Sequence, residues 1–495
     1  MKNMIETAVD KTILVSVDPY RTRVMLLENG VPVEFSMEKR EEGRLVGNIY
    51  KGRVQNVLPG MFAAFIDINA EKNAFLYAGD VKEGSPLLEG EQIDGKLTPS
   101  MVCSIIKPGS DIMVQVVKEP IGTKGARVST QISLPGRMLV FMPTVDFTGV
   151  SKRITNEAER KRLKALVSGL LPEGTGVIVR TAAEGVDDDM IRQELNSLID
   201  EWKHIERRFR TGRSASLIHK EDSLIFRTVR DAFGADVREL AVNDREAFEL
   251  IKSLVDEPLR GRITLREGPD LFESCGAEQA IDEALARRVW LKSGAYIVID
   301  RTEALTSIDV NTGKYVGKVS LDRTIVDTNR EAAVEIARQL RLRDIGGIVI
   351  IDFIDMADEL DRKAVLDTLT EALRRDSTKT VVLGMTRLGL VEVTRKKLGP
   401  GISHEIQSAC PYCGGTGRVL SAETVALRLR AELLRRIVAL PAGAGVLIKA
   451  NPAVIELLGR HSEEEYSITP ELGRRIIRTE ADPMLHIEEF SIKNI

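Results

Sequence analysis

Two aspartates end apolar segments that have the pattern of neighbouring strands. In LTSIDVN, apolar and polar residues alternate, so Asp309 and Asn311 share one face of a strand. Asp352 follows the apolar run IVII. Two carboxylates at adjacent strand ends repel each other unless a cation lies between them, and oxygen ligands with no His or Cys nearby in sequence favour Mg²⁺. Such a site could activate water for attack on a phosphodiester.

The residues between the two aspartates predict the elements that position them. LDRTIVDTNREAAVEIARQLRLRD is an amphipathic helix, because its apolar residues recur at three- and four-residue steps. These are Ile325, Ala332, Ala333, Ile336 and Leu340. The 43 residues that separate the aspartates allow a crossover helix between two parallel strands, whose ends then lie side by side. Catalytic groups of open α/β sheets gather at such ends.

Two other interpretations of these acids stay open. Asp309 and Asp352 could cap strands or pair with arginines, because acids at strand ends are common. Asp355 is a further candidate for the site, or it is the N-cap of the next helix.

Residues 44–120 are rich in short strands punctuated by Gly and Pro, which predicts a small barrel. NIYKGRVQNVLPGMFAAFIDI and NAFLYAGDV resemble an S1-type RNA-binding domain, an OB-fold barrel. Phe65 and Phe75 could stack on the bases of single-stranded RNA, or could lie in the core. Tyr50, Lys51 and Arg53 could contact phosphates, or could be solvated surface.

Arg180 and Thr181 end the strand-like segment GTGVIVRT. A guanidinium beside a hydroxyl suits a terminal phosphate, although most Arg-Thr pairs have no such role.

Cys410 and Cys413 form the motif CPYC, followed by GGTG. The two-residue spacing lets both thiolates reach one zinc ion, and the Pro and Gly residues predict a turn. A structural zinc site needs four ligands. The same motif of a second subunit could supply the other two, His404 could contribute, or the pair could be reduced thiols without metal.

The composition excludes several classes of protein. The net charge of −4 and the pI of about 6.0 argue against non-specific phosphate attraction, so RNA would have to bind in local grooves. Four cysteines in 495 residues argue against a disulfide framework. Glu6 and Asp10 interrupt the N-terminus before any apolar stretch, and no run is long enough to cross a bilayer. A cytoplasmic protein with three or more domains is expected.

The order of these motifs resembles the ribonuclease E/G family over nearly the whole chain. The stretch RQLRLRDIGGIVIIDFIDM and the CPYC motif together carry most of the resemblance. It implies a magnesium-dependent endoribonuclease that leaves a 5′-phosphate and a 3′-hydroxyl after in-line attack of water on phosphorus.

The resemblance also implies a multidomain α/β and β architecture. Its parts are an RNase H-like domain split between 1–43 and 216–284, an inserted S1 barrel at 44–120, a 5′-sensor region at 121–215, a DNase I-like α/β catalytic domain at 285–403, a zinc link at 404–418 and a small C-terminal α/β domain at 419–495. The split accounts for the short strands predicted at 12–35, which must pair with a later part of the chain.

The family's functional residues carry over to matching positions. Asp309 and Asp352 match the magnesium ligands, and Asn311 matches the residue that orients Asp309. Three residues match positions that hold RNA near the cut: Phe65, Phe75 and Lys124. Four match the pocket for a 5′-monophosphate: Gly136, Val140, Arg180 and Thr181. Cys410 and Cys413 match a zinc link between protomers, which implies a homodimer. Whether dimers pair into tetramers stays open.

The sequence ends at Ile495 without a long polar scaffold, which favours the family's shorter members and substrates in ribosomal RNA 5′-end maturation and RNA turnover. The linker 80–110 departs in detail from the family pattern, so contacts of that loop stay open. Two rival functions remain at this stage: an S1-type protein that binds RNA without cutting it, and a metal-dependent nuclease acting on DNA.

Overall fold

A computed structural model describes residues 9–40, 44–81, 106–120, 124–268, 271–313, 321–397, 399, 401–441, 444–458 and 476–495. The chain forms two compact units, Met1–Ile406 and Gln407–Ile495. Most of the linker 80–110 lies outside the described residues, as does Cys103. Among the helices of the described residues, none combines the length and the apolar character needed to cross a membrane.

The strands, in chain order, are β1 Lys11–Val17, β2 Arg21–Glu28, β3 Val31–Lys39, β4 Ile49–Leu58, β5 Ala63–Asp67, β6 Ala74–Tyr77, β7 Asp111–Lys118, β8 Arg127–Ser129, β9 Leu134–Pro135, β10 Leu139–Met142, β11 Thr148–Val150, β12 Gly176–Val179, β13 Ser216–His219, β14 Val237–Val242, β15 Ile263–Leu265, β16 Arg288–Trp290, β17 Tyr296–Arg301, β18 Leu305–Asn311, β19 Gly347–Asp352, β20 Thr380–Met385, β21 Leu390–Arg395, β22 Gly445–Ala450, β23 Ile476–Ala481 and β24 Phe490–Asn494.

The helices are α1 Glu157–Ser168, α2 Asp188–Thr211, α3 Leu224–Asp231, α4 Arg245–Leu254, α5 Glu257–Arg260, α6 Leu271–Ser274, α7 Ala277–Leu285, α8 Leu321–Leu342, α9 Glu359–Leu373, α10 Ile402–Ile406, α11 Ala422–Ala439 and α12 at 452–458.

The N-terminal strands belong to a sheet whose other members come from much later in the chain. Its order is β15-β14-β1-β2-β3, and β1 runs parallel to β14 with Thr12 opposite Glu239. Asn29 and Gly30 join β2 to β3 with φ of 52° and 77°, as the two-residue hairpin turn at Asn-Gly requires. Ile13 and Leu14 are fully buried on opposite faces of the sheet. The prediction that these strands pair with a later segment is confirmed.

The predicted barrel is present and closed. Its five strands follow the order β4-β5-β6-β8-β7, and β7 pairs back to β4. Gly52 of the KGRV motif lies against the wall, because a Cβ there would stand 2.4 Å from the Ile66 side chain. The expected boundary at residue 120 is wrong, because the strand that closes the barrel, β8, begins at Arg127. Strands β4 to β7 are only four, and the fifth strand, β8, pairs with both β6 and β7.

A four-stranded sheet of order β11-β12-β10-β9 follows the barrel. The helices α1 and α2 pack on it through a shared core that includes Leu163, Leu195, Val177 and Phe141. This sheet and its helices position the predicted 5′-phosphate pocket.

The two aspartates lie in a six-stranded mixed sheet of order β16-β17-β18-β19-β21-β20. The helices α8 and α9 cover one face of this sheet. Of the five residues predicted to form the apolar stripe of α8, four are fully buried and Ile325 is partly buried against the same core. The helix therefore crosses between β18 and β19, as predicted, and the face that carries the aspartates is open.

The second unit contains the helix predicted at VALRLRAELLRRIVAL, which is α11, and a small sheet of order β23-β22-β24. Leu429 and Val446 are fully buried in their shared core. The small α/β unit expected at the end of the sequence is thus observed.

Candidate active site

Asp309 and Asp352 occupy directly opposed positions on two parallel strands. In the register of β18 and β19, Ile308 lies opposite Ile351 and Asp309 opposite Asp352. Neighbouring strands are about 4.8 Å apart, and residues opposed in this way point to the same face. Both aspartates are exposed, whereas the flanking Ile308 is buried. The predicted convergence of the two carboxylates is therefore observed.

Asn311 lies one pleat beyond Asp309 on the same face. Its side-chain amide donates a hydrogen bond of 2.8 Å to Oδ2 of Asp309. This bond restricts the rotation of the carboxylate and leaves Oδ1 available to another ligand. The geometry agrees with the orienting role that the family resemblance implies for Asn311.

The electrostatics of the pair favour a bound cation. Partial burial, with the charges of Asp309 and Asp355, raises the pKa of Asp352 above its ordinary value. In the part of the chain that the structure describes, no Lys or Arg lies within ion-pair distance of Asp309 or Asp352. The alternative that arginines neutralise these acids is therefore not supported. The interpretation of Asp355 as a helix N-cap is wrong, because Asp358 caps α9 and accepts from Leu360 N at 2.8 Å.

The donor set fits a hydrated hard cation. Within the described ranges, no group of three or more His, Cys, Asp or Glu side chains is arranged around one point. Two carboxylates without a third protein ligand are what Mg²⁺ commonly uses, because it keeps several waters and takes its remaining ligand from a substrate phosphate. Zinc or calcium sites made only of protein groups would need more ligands.

A buried ion-pair network holds the strand next to Asp352. Arg395, at the end of β21, pairs with Asp376 at 2.7 Å and with Asp344 at 2.8 Å, and the side chains of Arg395 and Asp376 are 4% and 0% exposed. Burial alone would raise the pKa of Asp376, but the hydrogen bond and charge of Arg395 hold it below its ordinary value. Because β21 pairs with β19 along its length, this network fixes the strand that borders the site.

Phe65 and Phe75 face each other across β5 and β6 on the outside of the barrel. Their ring centroids are 6.0 Å apart at an interplanar angle of 70°, and neither ring belongs to the barrel core. Lys124 is exposed. It lies near the two rings, because the following Gly125 packs against the carbonyl of Asn73, two residues before Phe75. The structure thus brings the three predicted RNA contacts to one surface. Tyr50, in contrast, is 7% exposed in the barrel core and does not present its ring to RNA.

The four residues of the predicted 5′-phosphate pocket also come together. Val140 lies opposite Ile178 in the pairing of β10 with β12, and Arg180 follows β12. One terminal nitrogen of Arg180 donates to the carbonyl of Gly136 at 2.7 Å. Thr181 is exposed, and its hydroxyl lies 3.1 Å from that of Ser151.

Arg180 has a carboxylate partner that sequence reasoning did not find. The same terminal nitrogen donates to Asp231 at 2.7 Å. Burial would raise the pKa of Asp231, but Arg230 and Arg180 hold it below its ordinary value. Asp231 lies 51 residues after Arg180, and no local motif marks it. The bond positions the guanidinium, and both hydrogen bonds use one terminal nitrogen, so the other two nitrogens are available to a phosphate.

Comparison with known proteins decides the family. The model of the Ribonuclease E/G family matches residues 133–398, which include both aspartates and all four residues of the predicted phosphate pocket. Ribonuclease G of Haemophilus influenzae is 42% identical over 97% of this chain and 98% of its own length. The chain belongs to the ribonuclease E/G family.

Other members of the ribonuclease E/G family are similar to different extents of the chain. Ribonuclease G of Escherichia coli K12 is 40% identical over 97% of this chain and 99% of its own length. Ribonuclease E of Nostoc is 39% identical over 80% of this chain and 58% of its own length. The similarity to ribonuclease G therefore runs from end to end, whereas the similarity to this ribonuclease E covers part of each protein.

The CPYC motif of this ribonuclease E/G chain forms a glycine-rich turn in the second unit. Gly414, Gly415 and Gly417 have φ of 58°, 87° and 71°, values that favour glycine. Hydrogen bonds from the backbone of Gly417 and Gly415 lower the pKa of Cys413 below its ordinary value, which favours the thiolate that a metal requires. The predicted turn is confirmed.

The motif is anchored by its own unit. The ring of Tyr412 lies 4.2 Å from that of His486, whose Nε2 is 2.6 Å from the carbonyl of Tyr412. Two thiols form half of a four-ligand zinc site. Among the described residues, no His, Asp, Glu or further Cys forms a group of three ligands with them. His404, which the sequence offered as a ligand, belongs to α10 of the first unit.

Proposed function

We propose that this endoribonuclease of the ribonuclease E/G family cleaves single-stranded RNA in a magnesium-dependent reaction at Asp309 and Asp352. The observation that carries the proposal is the register of β18 and β19, which opposes two exposed carboxylates with no cationic partner among the described residues. Family membership supports the hydrolysis of RNA and disfavours the rival RNA-binding protein that does not cut.

Each residue of the site has a defined task in the proposed reaction. Asp309 and Asp352 would hold the cation, and Asn311 fixes the orientation of the Asp309 carboxylate. Mg²⁺ held there would lower the pKa of water and offset the negative charge that develops on the phosphodiester. The products are a 5′-phosphate and a 3′-hydroxyl.

The barrel and the phosphate pocket supply the RNA contacts of the proposal. Phe65 and Phe75 stack on bases, which needs no particular sequence, and Lys124 contacts the backbone. A 5′-monophosphate bound near Arg180 and Thr181 stimulates cleavage elsewhere on the same strand. Cytoplasmic precursors of ribosomal RNA and transcripts undergoing turnover are the proposed substrates, because the chain resembles ribonuclease G over 97% of its length.

The test of the proposed function is cleavage of a short A/U-rich single strand with and without Mg²⁺, beside DNA of the same sequence. We expect products only from RNA and only with Mg²⁺, with 5′-phosphate ends detected by mass spectrometry. Equal cutting of the DNA would support the rival DNA nuclease. RNA binding without products would support the non-catalytic RNA-binding protein.

Arg180→Ala should remove the preference for 5′-monophosphorylated RNA. A charge-assisted contact to phosphate is worth about 1.5–3 kcal/mol, so the wild-type protein should cut 5′-monophosphorylated RNA roughly 10-fold or more faster than 5′-hydroxylated RNA. The variant should cut both at the slower rate. The measurement is kcat/KM for the two substrates.

The control for this prediction is Arg192→Ala, which removes an exposed arginine from α2. It should keep the wild-type ratio of rates. If Arg180→Ala keeps that ratio as well, the proposed pocket does not read the 5′ end.

We also propose a homodimer linked by zinc that is shared between the CPYC motifs of two chains. Native mass spectrometry should find one zinc per two chains, because each chain provides two of the four thiolates. Cys410→Ser should lose the zinc and weaken dimerisation. Cys275→Ser, which removes a half-buried thiol of the first unit, should leave both unchanged. One zinc per chain would instead assign a complete site to each chain.

A further inference from the structure

The turn between β20 and β21 lies at the end of the sheet that carries Asp352. Leu390, the first residue of β21, pairs with Asp352. Three residues of chain span at most about 11 Å, so Arg387 and Leu388 start close to the acid pair. This turn, residues 386–389, is not part of any motif that the sequence analysis assigned.

Hydrogen bonds of Thr386, Gly389 and Leu390 close the turn without either of its two central side chains. Thr386 N donates to Leu390 O at 2.8 Å, and Gly389 N donates to Thr386 O at 3.0 Å. The hydroxyl of Thr386 accepts from Leu390 N at 3.2 Å. Gly389 has φ of 85°, where glycine is favoured. The backbone therefore holds the positions of Arg387 and Leu388 before any ligand binds.

Both central side chains are exposed. Leu388 is 84% exposed. Arg387 is exposed, and among the described residues no carboxylate lies within ion-pair distance of its guanidinium. The structure thus presents an apolar group and a free positive charge on a fixed turn beside two carboxylates.

We propose that this turn binds the nucleotide next to the cleaved phosphodiester, with the Arg387 guanidinium on its phosphate and Leu388 against its base. The inference rests on the proposed function and deepens it. A strand whose phosphate lies at the acid pair brings its next phosphate towards two negative side chains, which repel it. A guanidinium offsets that repulsion and binds phosphate oxygens as a fork. Packing on the base requires no particular base identity, which suits a single-stranded substrate.

The test combines protein variants with substrates that carry one uncharged methylphosphonate, placed in turn at each phosphate flanking the cut. Arg387→Ala should lower kcat/KM by about 10- to 100-fold, and Arg387→Lys should recover part of the loss because it keeps the charge without the fork. Arg374→Ala, which removes a 72% exposed arginine after α9, should leave kcat/KM unchanged.

The decisive result is the coupling between protein and substrate. At one position, the uncharged linkage should slow the wild-type enzyme strongly and should slow Arg387→Ala no further, because the contact is already lost. A role of Arg387 in folding alone would not produce this result. If the two losses multiply at every position tested, Arg387 does not bind a flanking phosphate and the proposal is wrong.

The base contact is tested in the same way with an abasic nucleotide. Leu388→Ala should lower kcat/KM roughly 3- to 10-fold on the intact strand and have no effect when the neighbouring base is missing. Losses that multiply would overturn the base contact. Failure of the proposed function can be distinguished from failure of this inference. It would appear as cleavage that does not require Asp309, irrespective of the results for the Arg387 and Leu388 variants.

Discussion

Asp309→Asn is expected to reduce single-turnover cleavage of RNA by roughly 10²- to 10³-fold or more, while RNA affinity stays within about twofold. The substitution keeps the shape of the side chain but removes the charge that would hold the proposed cation. Loss of several kcal/mol of charge stabilisation at the phosphodiester corresponds to a rate loss of this size. In the proposed function, RNA binds to the barrel surface and the predicted phosphate pocket, and the substitution changes neither.

Asp352→Asn should have an effect of the same order, because the two carboxylates are opposed across β18 and β19 and would share the proposed ion. The double variant should be no slower than either single variant, since one substitution would already remove the proposed cation and the energies are not additive. The measurements are cleavage of end-labelled RNA and fluorescence anisotropy of the bound RNA.

Asp300→Asn is the matched control for these variants. Asp300 lies on the neighbouring strand β17, where it pairs with Arg287 at the surface. Its replacement should leave cleavage within about twofold of the wild type, since exposed ion pairs are worth little. If Asp309→Asn cleaves at the wild-type rate, the active site lies elsewhere in the chain.

Asp376→Asn should destabilise the first unit by about 3–5 kcal/mol, the usual cost of leaving one member of a buried ion pair without its partner. Arg395 would keep Asp344 at 2.8 Å but lose the fully buried carboxylate that binds its Nε. Since Arg395 ends the strand that borders Asp352, cleavage should also fall near the melting temperature. Calorimetry should show a lower transition temperature for the first unit and no change in the second.

The effect should depend on pH with a definite sign. Because the pKa of Asp376 is lowered in the folded protein, the ionised carboxylate stabilises the fold above its ordinary pKa of about 4, and this contribution is lost as pH falls further towards the folded pKa. The difference between wild type and Asp376→Asn should therefore shrink only below about pH 4.

The control is Arg374→Ala, which breaks a pair with Glu371 whose side chains are 72% and 66% exposed. It should change stability by less than about 0.5 kcal/mol. If Asp376→Asn changed the free energy of unfolding by a similarly small amount, water or a rearranged side chain would have to replace the lost partner of Arg395.

Local patterns predicted much of the sheet that carries Asp309 and Asp352. The alternation in LTSIDVN placed Asp309 and Asn311 on one face of a strand, and the spacing of apolar residues in the helix that starts at LDRTIVDT predicted its buried stripe. Both predictions succeeded because they depend only on the periodicity of side chains within one strand or one helix. The Asn-Gly hairpin at residues 29–30 was equally local. The family resemblance, and not the residue pattern, named the phosphate pocket and the zinc link.

Features that depend on distant partners were missed or misplaced. The barrel takes its closing strand from beyond the expected boundary, because closure depends on pairing between β8 and two earlier strands. Asp358 and not Asp355 caps α9, since the chain continues three residues past the expected start before it turns into the helix. Asp231, the last residue of α3, reaches Arg180 at the end of β12, and nothing local to either residue indicates the contact.

By itself, the sequence indicated which residues are candidates for the chemistry and which face of each strand or helix they occupy, since alternation and helical spacing are properties of consecutive residues. Only the tertiary structure decided that Asp309 opposes Asp352, that no described arginine neutralises them, and that Arg387 and Leu388 stand beside them. Register, burial and ion pairing depend on residues far apart in the chain, and those distances exist only after packing.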